Sequence, residues 1–149
     1  MYKKIVLAYD GSEGATMALH CTAELASGGA EVLVLAVGRI PEYAETVSEV
    51  EEAKEQAARH YDRAVGDAAE VLRAKGIPAS GHVDFGKPAD VIIRHAEEIS
   101  ADLIVVGTNP HSALKRRVLG ATVDKVVDHA HCSVLVVRVT ETHASTSMS

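Results

Sequence analysis

The stretch "VVGTNPHSALKRRVLGATVDKVV", residues 105 to 127, carries the residue types best suited to binding chemistry in this chain. An apolar run leads into Gly107, and Gly120 opens a helix-like segment thirteen positions later. Polar and basic residues fill the interval, among them Lys115, Arg116 and Arg117. A glycine lets an anion approach the backbone closely. The first N–H groups of a helix lack internal partners and carry the positive end of its dipole, so a phosphate is the expected guest. The loop is not a Walker A sequence, because no Gly-Lys-Ser/Thr occurs in it. Pro110 lies between the two glycines, removes a donor and directs Asn109 toward extended backbone.

Other groups of reactive types carry less. "DFG" at 84–86 has the letters of a kinase motif, but no glycine-rich loop, catalytic lysine strand or HRD segment accompanies it. Gly86 reads as a turn glycine. His129, His131 and Cys132 are metal-ligating types, yet their spacing diverges on a helix and no second ligand pair follows. A histidine near a helix C-terminus is favourable on its own account. His111 and Ser112 are adjacent in the loop without an identifiable orienting acid. Asp10, in "YDGSE", either caps the following helix or faces a ligand; both readings stand at this stage. Cys21 is expected to be buried helix filling.

The elements that must position these residues are legible from two alternating periods. "KKIVLAY" (3–9), "EVLVLAV" (31–37), "DLIVVG" (102–107) and "SVLVVRV" (133–139) are short, β-branched and apolar on both faces, as strands of a covered parallel sheet are. "SGHVDFG" (80–86) is a weaker strand expected near an edge. Helical patterns occupy 12–27, about 47–75, 88–100 and about 121–130. In the longest, Val50, Ala57, Tyr61, Ala64, Ala68, Val71 and Leu72 form the expected buried stripe. Gly76 is its C′ glycine and Pro88 begins the next helix. The order β-α-β-α-β-α-β-α-β predicts an open, doubly wound α/β parallel sheet with right-handed crossovers. In such sheets ligands bind beyond the carboxyl ends of the strands, which here deliver Asp10, Val37, Asp84 and Gly107.

Composition narrows the function. The 149 residues suit one domain, residues 1–139, followed by a polar Ser/Thr-rich tail, 140–149, that is expected to be disordered. Aromatics make up 3% and the net charge is −6, which together disfavour nucleic acid as a partner. Cys21 and Cys132 form no disulfide framework, no leader precedes the first strand and no apolar run reaches membrane length. A cytoplasmic protein is expected.

"IVLAYDGSEGATMAL", "ADLIVVGT" and "LGATVDKVVDHAHCSVLVVR" together resemble the universal stress protein domain, and the resemblance covers residues 2 to 139. It implies a five-stranded sheet of order 3-2-1-4-5 with a Rossmann-like arrangement, usually dimeric. One branch of that family binds ATP through Gly-x2-Gly-x9-Gly-Ser/Thr; another lacks the motif and binds none. Gly107 and Gly120 match its first and third glycines, whereas Pro110 replaces the second and Ala121 the Ser/Thr. Thr122 offers a hydroxyl one step on, turned by about 100° around a helix. By the same resemblance Asp10 faces ribose or a phosphate-bound magnesium ion, and Val37 lies where adenine is touched. The implied function is a regulatory module binding ATP or another adenine nucleotide. The alternatives are a nucleotide-independent stress protein and, last, a slow ATPase. No catalytic residue is assigned. A homodimer joined through Ser133–Val139 is expected, because an apolar edge strand invites another chain.

Overall fold

The computed structural model describes residues 2–39, 46–108 and 120–139. The basic loop with Pro110, His111 and Lys115–Arg117, and the tail 140–149, lie outside the described residues. The elements are β1 (Lys4–Ala8), α1 (Glu13–Ala26), β2 (Glu31–Gly38), α2 (Val47–Ala74), β3 (Ala79–Phe85), α3 (Pro88–Glu98), β4 (Leu103–Thr108), α4 (Ala121–His129) and β5 (Ser133–Arg138). They form a five-stranded sheet of order β3-β2-β1-β4-β5, parallel throughout, as expected. The weaker strand does lie at an edge.

The strand alternation divides the core. Ile5, Leu7, Val32, Val34, Leu103 and Val105 face α1 and α2. Val6, Leu35, Ile104 and Val106 face α3 and α4. Both faces are therefore covered, which is why the inner strands read as unbroken apolar runs. The helices meet the sheet largely through alanines, such as Ala18, Ala68, Ala69, Ala89 and Ala96, all buried. Small side chains bring helix and sheet close. Among the described residues no helix is long and apolar enough to cross a membrane.

Helix α2 departs from its expected stripe. Its buried residues are Val65, Ala68, Ala69 and Leu72, an i, i+3, i+4, i+7 set confined to its last third. Val71 points outward, 39% exposed, and the upstream positions Val50, Ala57, Tyr61 and Ala64 are only half-buried. The helix overhangs the sheet beyond the core. It ends in a Schellman turn, with Ile77 N–H donating to the Leu72 carbonyl and Gly76 N–H to Arg73, and Gly76 at φ 80°. Cys21 is half-buried against the α1–α2 core layer rather than fully enclosed.

Gly107 has a structural reason of its own. A Cβ there would stand 2.1 Å from the Gly14 carbonyl oxygen and 2.5 Å from its carbon. Strand β4 and helix α1 thus touch backbone to backbone, and neither can retreat without opening the core. Gly107→Ala is expected to destabilise the fold by about 1–3 kcal/mol, the range of an overpacked interior. Gly28→Ala, where nothing lies within 4 Å, should stay within about 0.5 kcal/mol. Urea denaturation of both variants checks this; equal costs would refute the backbone contact.

Candidate functional site

Strand order reverses between β1 and β4, so the chain crosses to opposite faces after these strands and leaves a crevice at their carboxyl ends. A cleft of about 440 Å³ occupies that place. Its apolar surface comes from Ala8, Leu35, Val37 and Val106 at the strand ends, with Ala57 and Tyr61 of the overhanging α2 contributing to its lining. Pro88 and Ile92 of α3 complete that lining, and polar groups enter from Asp10, Ser12, Arg39 and Thr122. A slot of this size, mostly apolar with a few polar groups, suits a small planar ligand with a polar appendage.

The turn after β1 is built around Asp10 and Ser12. Asp10 Oδ1 accepts the Ser12 N–H at 2.9 Å, and Ser12 Oγ accepts the Ala15 N–H at 3.2 Å, making Ser12 the N-cap of α1. The cap of α1 is thus Ser12 and not Asp10, which instead braces the turn before the helix. One oxygen braces the turn while the exposed residue borders the cleft.

Gly120 is the N-cap of α4 at φ 100° and ψ 152°, a conformation that essentially only glycine adopts. Among the described residues a Cβ at this position would meet nothing within 4 Å, so the requirement seen there is conformational. The first intrahelical bond runs from Asp124 N–H to the Gly120 carbonyl, and Gly120 itself brings no side chain to cap the helix. The amides of 121–123 precede that first bond and have no carbonyl to receive them within the helix. Thr122 and Val123 line the cleft; Ala121 is exposed and does not. The residue matching the Ser/Thr of the motif thus does not line the cleft, and the hydroxyl that α4 brings to it is that of Thr122. Gly120 sets this phase, because its backbone conformation fixes the direction from which α4 starts.

Of the sequence-selected residues, Asp10, Val37, Gly107 and Thr122 come together in the cleft, with Gly120 and Ala121 at the head of the adjoining helix. Asp84 does not join them. It pairs in register with Val37, but its carboxylate turns to α3, where it is bound by Arg94 and lies 2.8 Å from His95 Nε2. Partial burial works against the Asp84 carboxylate. The His95 hydrogen bond, the Phe85 N–H and the charge of Arg94 outweigh it and hold its pKa below the ordinary value. His129, His131 and Cys132 do not converge as ligands; among the described residues the convergent group is His82, Asp84 and His95. Burial, aided by Asp102, raises the Cys132 pKa and keeps it a thiol.

Tyr9, Arg39, Ala57 and Tyr61 were not visible as site residues in the sequence. Arg39 carried the same signal as Asp10, a charge just past the end of an apolar parallel strand. Tyr61 falls on the expected core stripe of its helix, and nothing local in the sequence separates the two roles.

The fold and cleft together define an α/β protein with a small-ligand crevice at its topological switch point. Residues 1–138 match the universal stress protein family. A universal stress protein of Thermus aquaticus is 38% identical over 141 residues, covering 93% of this chain and all of the relative. Universal stress protein YxiE of Bacillus subtilis is 33% identical over 153 residues, with 93% and 100% covered. Among solved structures, hypothetical protein MJ0577 superposes with a TM-score of 0.84 at 27% identity, covering 95% of this chain and 99% of that one. The chain belongs to the universal stress protein family. At the level of the fold it also resembles a universal stress protein in complex with cAMP, with a TM-score of 0.71, 20% identity and 93% and 99% covered. An Arabidopsis thaliana family member with AMP bound gives 0.68, 17% identity and 94% of each chain.

The backbone demand at Gly120 can be measured without any ligand. Gly120→Ala is expected to cost about 1–3 kcal/mol although no atom obstructs the methyl group, because the strain lies in φ and ψ. Thermal unfolding of this variant against wild type is the check, and an unchanged melting temperature would count against the conformation.

Proposed function

We propose that the chain binds an adenine nucleotide in this cleft and works as a regulatory module in which the bound nucleotide alters dimer shape or partner affinity. The observation that carries the reading is the meeting of an apolar cleft at the ends of β1, β2 and β4 with the start of α4, where the N-cap is a glycine. A purine would lie against Val37, Leu35 and Val106. Asp10 would accept from ribose hydroxyls, and the α4 amides with the Thr122 hydroxyl would receive phosphate. The family members solved with cAMP and AMP support an adenine nucleotide as the ligand class. Among the described residues Asp10 is the one carboxylate lining the cleft, so a magnesium ion would arrive with a triphosphate and keep most of its waters. Arg39 places a cation at the rim of an otherwise acidic protein. The free cysteines are in keeping with the cytoplasmic compartment we propose.

A second reading, a stress protein that works through dimerisation and protein contacts alone, is favoured by Pro110 and Ala121, which depart from the nucleotide motif. Mass spectrometry of the denatured purified protein separates the two: released adenine nucleotide supports the first. Titration calorimetry then localises the site. Thr122→Val should weaken ATP or AMP binding about tenfold, the equivalent of one hydrogen bond of about 1.4 kcal/mol. Ala121→Val should leave affinity within about twofold, since a cost of up to about 0.4 kcal/mol is what a residue turned from the ligand contributes. If neither nucleotide binds wild type, the second reading stands.

For assembly we propose a homodimer through Ser133–Val139. Strand β5 is a sheet edge whose Val134, Leu135 and Val136 remain only half-buried. Sedimentation at micromolar concentration is expected to give twice the chain mass; a monomer would remove this interface.

A further inference from the structure

We propose that His82, Asp84 and His95 form a binding site for a borderline transition-metal dication of the zinc, cobalt or nickel type, separate from the nucleotide cleft. His82 and Asp84 are two residues apart on β3 and so project to the same face of the sheet, the face covered by α3. His95, on α3, completes the set. One ligand atom from each lies within 4.8 Å of the others, and the two imidazole rings stand 5.2 Å apart at 56°. Ligand atoms held about 2.0–2.2 Å from one ion stand at most about 4.4 Å apart, so a spacing within 4.8 Å is near that of a coordinating set. Two imidazoles and one carboxylate match zinc, cobalt or nickel rather than magnesium or calcium, which demand oxygen donors.

The surroundings are those of a supported site. Asp84 Oδ1 is fixed by the Phe85 N–H at 2.7 Å, leaving Oδ2 toward the histidines. His95 directs Nε2 at Asp84 and Nδ1 toward Glu98 Oε2, 3.9 Å away. A carboxylate that closes from there to hydrogen-bond distance would orient a metal-bound histidine and hold its remaining proton. On binding, the metal takes the Nε2 lone pair, and a neutral His95 carries its proton on Nδ1, facing Glu98. Arg94, which shares Asp84 Oδ2, has Glu98 Oε1 3.6 Å from its Nε as an alternative partner. His82 is exposed on the edge strand, so the ion has an open path and water can complete its coordination. Bound metal would tie the open edge of β3 to α3.

The full chain, stripped with EDTA and desalted, is titrated with zinc chloride by calorimetry and melted with and without zinc. One ion per chain and a raised melting temperature are expected, with no response to magnesium. His82→Ala should melt as wild type without metal, its side chain being exposed, and lose both responses. His82→Gln serves the same purpose with the side-chain bulk kept. Glu98→Gln should weaken binding about tenfold, the effect of losing an outer-shell partner. Absence of one-to-one binding in wild type, or undiminished binding in both His82 variants, overturns the proposal. Nucleotide binding is unaffected by either result.

Discussion

Between β4 and α1 two backbones meet with no side chain between them, at Gly107 and Gly14. Most of the architecture follows from this contact. It lets α1 descend onto the middle of the sheet, where Ala18 and Leu19 enclose the strand residues Ile5, Leu7 and Val105. The same descent places the Ser12 cap, and with it Asp10, beside the end of β4. A bulkier pair would lift α1, thin the core beneath it and widen the crevice above. Stability and site geometry are thus set at one point, and the glycine that looks made for a ligand is needed first by the fold.

The sheet was legible because its physics is local. Unbroken apolar runs separated by helical periods permit few topologies once right-handed crossovers are required. The place of the cleft followed from the same rule. What the sequence concealed are matters of direction and long-range contact. Gly107 and Gly120 are identical letters, yet one is required by a neighbouring backbone and the other by its own dihedral angles. Ala121 aligned with a motif hydroxyl, but helix phase turns it away and brings Thr122 round. Asp84 lay on the ligand edge by strand count, but residues 94 and 95 return along α3 to capture it. Cys21 and Val71 occupied core-like positions and are half-buried and exposed, because a helix on an open sheet buries a narrower stripe than its apolar content suggests.

The two ends of the α3 face differ in kind. Toward β1 and β4 it is closed by Val91, Ile92 and Ala96 against Val6 and Ile104. Toward β3 apolar cover gives out, and His82, Asp84, Arg94 and His95 finish the layer with a polar cluster. Charge there keeps the flank of the edge strand soluble and discourages pairing with a stray chain. The opposite edge, β5, presents valines and leucine instead. The two edge strands thus differ in chemistry, β3 flanked by a polar cluster and β5 apolar.

The overhang of α2 gives that helix two thermodynamic halves. Its last third is clamped by Val65, Ala68, Ala69 and Leu72, whereas the first half rests on few buried contacts and begins with Val47, 80% exposed. The burial pattern predicts graded amide hydrogen exchange, fast by local fraying before Ala57 and slow by global unfolding after Val65. Ala57 and Tyr61, which line the cleft, sit on the boundary between these regimes. Were the proposed ligand held there, its ordering entropy would be drawn from the loosely held half, as a stiffening along the helix rather than a displacement of the core.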